Sequence, residues 1–196
     1  MQRHELEELH YITPINNVPS ILRFGILSHR RIKDVDHESV AMDEIQNRRA
    51  RVTVPGGRNL HEYANLYFCA RNPMMYKRQA QHQNLCVLRI NPNVIDLNNV
   101  VITDGNASSD YVRFSAAPNG LAIVDKEWTF AEDWTDTDQI QYFRKKAAKC
   151  AEVLVPDVIS PRYILGAYVS CQEAMDKFQA LKTSLSVTID SHLFFR

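Results

Sequence analysis

A glutamate stands where the sequence predicts a buried strand. Glu152 opens the run "EVLVP", whose apolar residues and closing proline are typical of a short core strand. Carboxylates are rarely buried without a partner, because removing their charge from water is unfavourable. Either Glu152 points to solvent from an edge strand, or it has a chemical role. The second interpretation is favoured by the basic residues just upstream, which can hold the carboxylate ionised or attract an anionic substrate: Arg144, Lys145, Lys146 and Lys149.

Arginines are concentrated in a second segment, "RRARVTVPGGR", which contributes Arg48, Arg49, Arg51 and Arg58. A solvated surface is the usual explanation for such a run. Guanidinium groups also bind phosphate oxygens in a bidentate manner, so a pyrophosphate or a nucleic-acid backbone is the alternative ligand.

A third segment, "NLYFCARNPMMYKR", combines aromatic and polar side chains at a predicted strand-to-helix junction. Its aromatic residues Tyr67, Phe68 and Tyr76 belong by default to a core. Arg71 and Asn72 occupy the junction itself, which is where ligand contacts tend to lie.

Several function classes lack their usual sequence signs. The chain contains no phosphate-binding G-x-x-x-x-G-K-[ST], no G-x-G-x-x-G and no G-x-S-x-G, and its seven histidines form no H-x-x-x-H pair. We therefore expect no metal centre. The 23 basic and 23 acidic residues balance, so only local patches of charge can indicate a polyanionic partner.

The cysteines and the N-terminal segment indicate the cellular compartment. Cys69, Cys86, Cys150 and Cys171 are scattered without a C-x-x-C pair, which favours reduced thiols over a zinc site or a disulfide framework. The N-terminus "MQRHELEELH" has no apolar core, and no apolar run approaches membrane-spanning length. These features predict a soluble, cytoplasmic protein with no membrane partner.

Hydrophobic patterning predicts an α+β domain with a mixed sheet, because strands outnumber helices and do not alternate regularly with them. The expected strands are 9–13, 63–70, 85–90, 100–103, 121–124, 152–156, 163–170 and 185–189. The expected helices lie in 16–26 (where Gly25 ends the helix), 40–50, 73–81, 136–150 (capped by Asp136 or Thr137) and 171–182. Two long irregular segments, 28–58 and 104–136, exceed what a compact fold needs and suggest functional loops.

Taken in order, four stretches resemble the DarT family of toxin DNA ADP-ribosyltransferases. They are "HYITPINNVPSILRFGIL", "EIQNRRARVTVPGG", "YANLYFCARNPMMY" and "RKKAAKCAEVLVPDVISPRYILG", and they extend from about residue 8 to residue 170. The resemblance implies one ADP-ribosyltransferase domain over 1–196, with a split mixed sheet and NAD in its cleft. It matches Glu152 to the catalytic glutamate, and of Arg48, Arg49 and Arg51 we favour Arg49 as the catalytic arginine.

The resemblance also assigns segments and binding residues. Residues 28–57 would close over NAD, and residues 104–152 would read the DNA. The expected NAD contacts are His10, Tyr11, Ile12, Thr13, Asn17, Ile21, Arg48, Arg51, Tyr67 and Tyr76. The expected DNA contacts are Arg71, Asn72, Tyr111, Arg113, Arg144, Lys145, Lys146 and Lys149, with Trp128 and Trp134 as further planar groups.

The activity implied is transfer of ADP-ribose from NAD to a base of single-stranded DNA, with guanine favoured over thymine, and a macrodomain antitoxin that removes the modification. Two alternatives remain open at this point. One is an ADP-ribosyltransferase that acts on RNA or protein. The other is a non-catalytic nucleic-acid-binding module in which Glu152 is structural.

Overall fold

A computed structural model describes residues 1–39 and 42–196 of the 196-residue chain. Its strands are β1 Leu9–Pro14, β2 Ile26–Leu27, β3 Tyr63–Tyr67, β4 Leu85–Ile90, β5 Val101–Thr103, β6 Phe114–Ala116, β7 Glu152–Pro156, β8 Val158–Ile159, β9 Ile164–Val169 and β10 Val187–Ile189. Its α-helices are α1 Val18–Phe24, α2 Asp43–Arg49, α3 Pro73–Lys77, α4 Lys126–Phe130, α5 Gln139–Ala148 and α6 Gln172–Ala180. The mixed α+β class expected from the patterning is confirmed.

Within the described residues, eight strands form one sheet in the order β10-β9-β4-β1-β3-β7-β5-β6, while β2 and β8 form a separate pair. In this described sheet, β10 and β9 are the only parallel neighbours, and the other neighbours are antiparallel. The two central strands β1 and β3 share a single register pair, His10 opposite Tyr67. The sheet is therefore split between its two halves, and β1 and β3 diverge beyond that pair to leave room for a cleft.

The core lies on both faces of this sheet. The larger cluster packs helices α1 and α6 against one face around Phe68, Val153 and Phe178. A smaller cluster on the other face brings α3 and the C-terminal segment together through Ile12, Met75 and others. Among the described residues, the longest helix, α5, has ten residues, so none reaches across a lipid bilayer.

Gly25 makes the turn from α1 into β2. Its φ of +86° lies in the left-handed region, and a Cβ at this position would lie 2.5 Å from the Ile159 carbonyl oxygen. β2 then pairs with β8, which follows β7 directly. The start of the long segment after residue 28 is thus fixed beside the strand that carries Glu152.

Two expectations from the sequence are corrected by the structure. Residues 121–124 were expected to form a strand, but 121–123 belong to the 3₁₀ turn Asn119–Ile123 and Val124 caps it, because Leu121 and Val124 are both buried and three residues apart. Helix α5 is capped by Asp138, which accepts from the Ile140 N–H at 2.7 Å, whereas Asp136 binds Lys145 instead.

The two long segments contain more structure than the patterning predicts. The helix expected at 40–50 is α2, and its first two expected residues lie outside the described residues. The segment 104–136 contributes β6 at the edge of the sheet and the short helix α4.

Candidate active site

Glu152 is the first residue of β7, between β3 and β5 in the middle of one half-sheet. It lies directly opposite Tyr67, and its side chain has no exposed surface. Its own backbone N–H donates to Thr103 Oγ1 of β5 at 3.1 Å. The run "EVLVP" forms the buried strand that its pattern predicted, and the Glu152 carboxylate is buried with it.

Among the described residues, three hydrogen bonds hold the Glu152 carboxylate. Arg49 Nη1 donates to Oε2 at 3.0 Å and to Oε1 at 3.3 Å, and the Ala107 N–H donates to Oε1 at 3.0 Å. The guanidinium balances a negative charge that burial would otherwise penalise. Helix α2 and the segment after β5, distant in the sequence, therefore meet at this carboxylate.

Arg49 is the last residue of α2 and is 6% exposed. Its Nη2 is buried and has no hydrogen-bond partner among the described residues, and the same holds for Gln46 Oε1 one turn earlier. Buried polar atoms are nearly always satisfied, so an orphaned donor and an orphaned acceptor on one helix face suit a polar ligand. Arg48, by contrast, is exposed and paired with Glu44 at 2.6 Å.

A cavity of about 260 Å³ opens beside Arg49 at the split of the sheet. Six of the residues predicted to bind the cofactor line it: Tyr11, Ile12, Thr13, Asn17, Ile21 and Tyr67. Helix α2 and its N-cap residue face it with Met42, Ile45, Gln46 and Arg49. This i, i+3, i+4, i+7 spacing is visible in "MDEIQNRR" and could have distinguished Arg49 from its neighbours.

Asn17 ties the first long segment over the cavity. Its side-chain amide donates to Thr13 Oγ1 at 3.2 Å and to the Glu38 carbonyl at 2.7 Å, and its Oδ1 accepts from the Glu38 N–H at 2.9 Å. Val35, Glu38 and neighbouring residues consequently line the cavity. The segment predicted to cover a ligand lies along the opening.

Tyr67 and Tyr11 face the cavity from β3 and β1. Burial, together with the negative charge of Glu152, raises the pKa of the Tyr67 hydroxyl, and burial raises the pKa of Tyr11 to about 12. Both phenols therefore stay neutral across the physiological pH range.

Two histidines near Arg49 were not identified from the sequence. The rings of His29 and His61 lie 4.1 Å apart, His61 Nε2 is 3.1 Å from the Gln46 carbonyl oxygen, and His29 lines the cavity. Burial lowers the pKa of both rings, and the Arg49 charge lowers it further. No local pattern marks this pair, because the two residues are brought together only by the fold.

His10 has partners away from the cavity. Its Nδ1 lies 3.2 Å from the Phe68 carbonyl oxygen, and its Nε2 lies 3.1 Å from Glu8, which also accepts from Arg89 at 2.7 Å. Burial acts to raise the pKa of Glu8, but the hydrogen bonds with His10 and Arg89 outweigh it and lower this pKa to about 2. Among the described residues, His10 is not one of those lining the cavity.

The other predicted cofactor contacts also lie outside the cavity lining formed by the described residues. Arg51 is exposed on the turn after α2. Tyr76 is 48% exposed and packs edge-on against Trp134 and Phe195, with ring centroids 5.9 and 5.1 Å away. The residues described also contain no group of three His, Cys, Asp or Glu side chains placed to hold a metal ion.

The predicted DNA contacts divide by exposure. Tyr111, Arg113 and Arg144 lie at the surface, and Tyr111 is 95% exposed. Arg113 pairs with Asp104 at 2.6 Å, at the beginning of the same loop. Lys145 and Lys146 are half-buried, since Lys145 pairs with Asp136 and Lys146 lies over a tyrosine ring.

Three others are held by hydrogen bonds to other parts of the chain. Asn72 is fully buried and caps α3, because its Oδ1 accepts two backbone N–H groups while its amide donates to the Cys69 carbonyl. Arg71 donates to the carbonyls of Glu132 and His192. Lys149 is 1% exposed and donates to the Ala131 carbonyl at 2.6 Å.

A split mixed sheet with a glutamate at the start of a central strand, beside a cleft, has the architecture of the ADP-ribosyltransferases. A family model described as "ssDNA thymidine ADP-ribosyltransferase, DarT" matches residues 10–195. The chain belongs to this DarT family of DNA ADP-ribosyltransferases, as the resemblance in the sequence predicted.

Relatives and solved structures agree with this assignment. The chain is 33% identical to a Thermosipho africanus (strain H17ap60334) protein named "DNA ADP-ribosyl transferase-DNA ADP-ribosyl glycohydrolase fusion protein", over 96% of this chain and 49% of that protein. It therefore spans about half the length of that relative. The structure matches Thermosipho africanus DarTG in complex with ADP-ribose with a TM-score of 0.84 and 32% identity, over 96% of this chain and 51% of the other. It matches Thermus sp. 2.9 DarT in complex with ADP-ribosylated ssDNA with a TM-score of 0.82 and 25% identity, over 97% of both chains.

Proposed function

We propose that this chain transfers ADP-ribose from NAD to the base of thymidine in single-stranded DNA. The observation that carries the proposal is the buried Glu152 carboxylate, held by Arg49 and the Ala107 N–H beside the cleft. The description of the matching family model and the ADP-ribose and ssDNA complexes of the two relatives support the donor and the acceptor.

The carboxylate suits this chemistry. Breaking the bond between ribose and nicotinamide builds positive charge on the sugar, as in glycoside hydrolysis. A fixed carboxylate stabilises that charge, and it can accept a hydrogen bond from the ribose 2′-hydroxyl. The same group can take the proton from the attacking nitrogen of the base.

Arg49 separates Glu152 from the cavity, since Arg49 lines the cavity and, among the described residues, Glu152 does not. The substrate must therefore draw the guanidinium away from at least one carboxylate oxygen. The orphaned Nη2 provides the means, because it can donate to a phosphate or carbonyl oxygen of the ligand. We assign Arg49 to substrate binding and Glu152 to stabilisation of the ribose.

The whole chain would act as one domain with two functional segments. Residues 28–57, tied down by Asn17, would cover NAD, with the β1 residues and Tyr67 beneath it. Residues 104–152 would read DNA with the exposed Tyr111, Arg113 and Arg144. Arginines and planar side chains are what single-stranded DNA binding requires.

The family supports a choice of base and of partner. The expectation of guanine finds no support there, and the description of the matching family as a thymidine ADP-ribosyltransferase favours thymidine. The glycohydrolase part of the Thermosipho fusion protein supports a macrodomain antitoxin that reverses the modification. The cytoplasm, which contains both NAD and DNA, is the compartment that such a toxin requires.

The direct test is incubation of the protein with NAD and single-stranded oligonucleotides containing either thymine or guanine as the only modifiable base. Nucleosides released by digestion are then analysed by mass spectrometry, with parallel RNA and protein pools. ADP-ribosylated thymidine is the expected product. Modified guanine would overturn the choice of base, and label only in RNA or protein would overturn the choice of acceptor.

Glu152→Gln tests the role of the carboxylate, because glutamine retains an oxygen that can accept from the Ala107 N–H. We expect NAD binding within a few-fold of wild type and transfer about 100- to 1,000-fold slower. The exposed Glu7, which lies outside both functional segments, provides the control variant Glu7→Gln, which should leave both unchanged. Transfer at the wild-type rate by Glu152→Gln would remove Glu152 from the mechanism.

A further inference from the structure

Two residues close the base of the loop between β5 and β6. The Asp104 carboxylate accepts from the Arg113 backbone N–H at 2.8 Å and from Arg113 Nε at 2.6 Å, and the Asp104 N–H donates to the Arg113 carbonyl at 3.4 Å. The Asp104 side chain is only 19% exposed. This ion pair follows directly on the last pair of the ladder, Thr103 opposite Phe114, and extends it by one position.

Arg113 also connects this loop to the chain beyond β6. Its Nη2 donates to the Ile123 carbonyl at 3.3 Å, at the end of the turn Asn119–Ile123. Hydrogen bonds between ionised groups are roughly twice as strong as neutral ones, so the contact with the Asp104 carboxylate is the stronger of the two. One guanidinium thus joins the exit of β5, the entry of β6 and the segment that follows.

The loop that this ion pair closes, residues 104–113, extends from the cavity to the solvent. Near its start, Asn106 lines the cavity and the Ala107 N–H donates to Glu152 Oε1 at 3.0 Å. Near its end, the Tyr111 side chain projects into solvent and is 95% exposed. A displacement of the loop would therefore move both a donor to the buried carboxylate and the exposed ring.

We propose that Asp104 and Arg113 are positioning residues for the DNA acceptor, an inference that rests on the proposed function. Their ion pair fixes the loop so that the Ala107 N–H stays on the Glu152 carboxylate while the Tyr111 ring is presented to a base of single-stranded DNA. Aromatic rings stack on such bases with little dependence on sequence. The part of Arg113 in reading DNA is thereby refined: it holds the loop through Asp104, because its Nε and Nη2 are already engaged.

Loss of this ion pair should affect the reaction more than the fold. The Arg113 side chain is 67% exposed, and exposed ion pairs contribute little to the stability of a whole protein. The rate of a transfer reaction is more sensitive, since a misplacement of about 1 Å at the reacting groups can cost about 100-fold. Variants that lack the pair should therefore fold normally and transfer ADP-ribose more slowly.

A double-mutant cycle on the transfer rate of the full chain tests the proposal. Asp104→Ala and Arg113→Ala should each lower kcat/KM for a single-stranded thymine oligonucleotide about tenfold, and the double variant should fall no further. KM for NAD should stay within a few-fold of wild type. The control Glu173→Ala breaks an exposed ion pair with Lys177 on α6 and should leave these constants unchanged. Should Asp104→Ala fail to fold, Asp104→Asn takes its place with a smaller expected loss, because it keeps an oxygen for the Arg113 N–H.

Hydrogen exchange of the peptides covering 104–113, measured without NAD or DNA, separates this inference from the proposed function. Breaking the pair should speed exchange in the loop about fivefold, while peptides of β4 exchange as in wild type. A wild-type protein that modifies no oligonucleotide would refute the proposed function, whereas unchanged exchange in the loop would overturn the inference alone.

Two kinetic results would also overturn the inference. One is transfer at the wild-type rate by either single variant; a normal Asp104→Ala beside an impaired Arg113→Ala would make Arg113 a direct DNA contact instead. The other is a double variant whose loss equals the product of the two single losses, because residues that act as one unit cannot lose their effect twice.

Discussion

Replacing Arg49 by methionine should reveal how strongly the carboxylate depends on its partner. The Arg49 and Glu152 side chains are 8% and 0% exposed. In the variant, the Ala107 backbone N–H is the only hydrogen-bond donor to the Glu152 carboxylate among the described residues. Removing one partner of a buried ion pair reduces the free energy of unfolding by about 3–5 kcal/mol. At roughly 2–4 °C per kcal/mol for a chain of this size, Tm should fall by roughly 6–20 °C.

A double-mutant cycle with Glu152→Gln separates the interaction from the two individual losses. Once both charges are gone, the double variant should be more stable than the sum of the single losses predicts, by about 1–3 kcal/mol. Urea titrations of all four proteins, monitored by circular dichroism, measure these free energies. The matched control is Arg48→Met, whose exposed pair with Glu44 should contribute only about 0.3–0.5 kcal/mol. A loss for Arg49→Met no larger than this control, or strict additivity in the cycle, would refute the reasoning.

Three further predictions concern the elements around the site. The hydrogen bonds of Glu8 lower its pKa from 4.5 to about 2, so the stabilisation they give is complete above pH 4.5 and is lost as the pH falls toward 2. Urea unfolding should therefore show Glu8→Gln less stable than wild type above pH 4.5, by a difference that shrinks as the pH falls toward 2; a pH-independent difference would contradict the assignment. Asn72→Ala should lower the free energy of unfolding by about 1–2 kcal/mol through loss of the α3 cap, and Asn72→Asp, which keeps the accepting oxygen, should lose less. Gly25→Ala should be more destabilising than Gly56→Ala in thermal melts, because both have positive φ but only the first places a Cβ against backbone atoms; equal losses would argue against the close contact.

Local patterns predicted much of the fold because the strongest signals here are local. The apolar run and the closing proline in "EVLVP" predict the strand, and the carboxylate at its start marks the site without information from distant segments. The proline and glycine around α1 similarly give its two ends, Val18–Phe24. Arg49 was chosen through resemblance, although the spacing of cavity-lining residues on α2 contains the same information.

Other features depend on contacts between distant segments. Lys149 was assigned to DNA because it follows a basic run, but it is buried by Ala131 and Cys69, residues far away in the sequence. The His29 and His61 pair likewise has no local signal. The strand expected at 121–124 was wrong because four apolar residues fit a strand or a tight turn equally well, and burial at a spacing of three decides between them.

The two long segments of the chain converge on a single oxygen atom. Glu152 Oε1 accepts both from Arg49 Nη1, at the end of α2, and from the Ala107 N–H in the segment after β5. Mutations in either segment should therefore show epistasis with mutations in the other, whatever their separation along the chain. A chimera that takes one of the two loops from a homologue should accordingly be less active than a chimera that takes both.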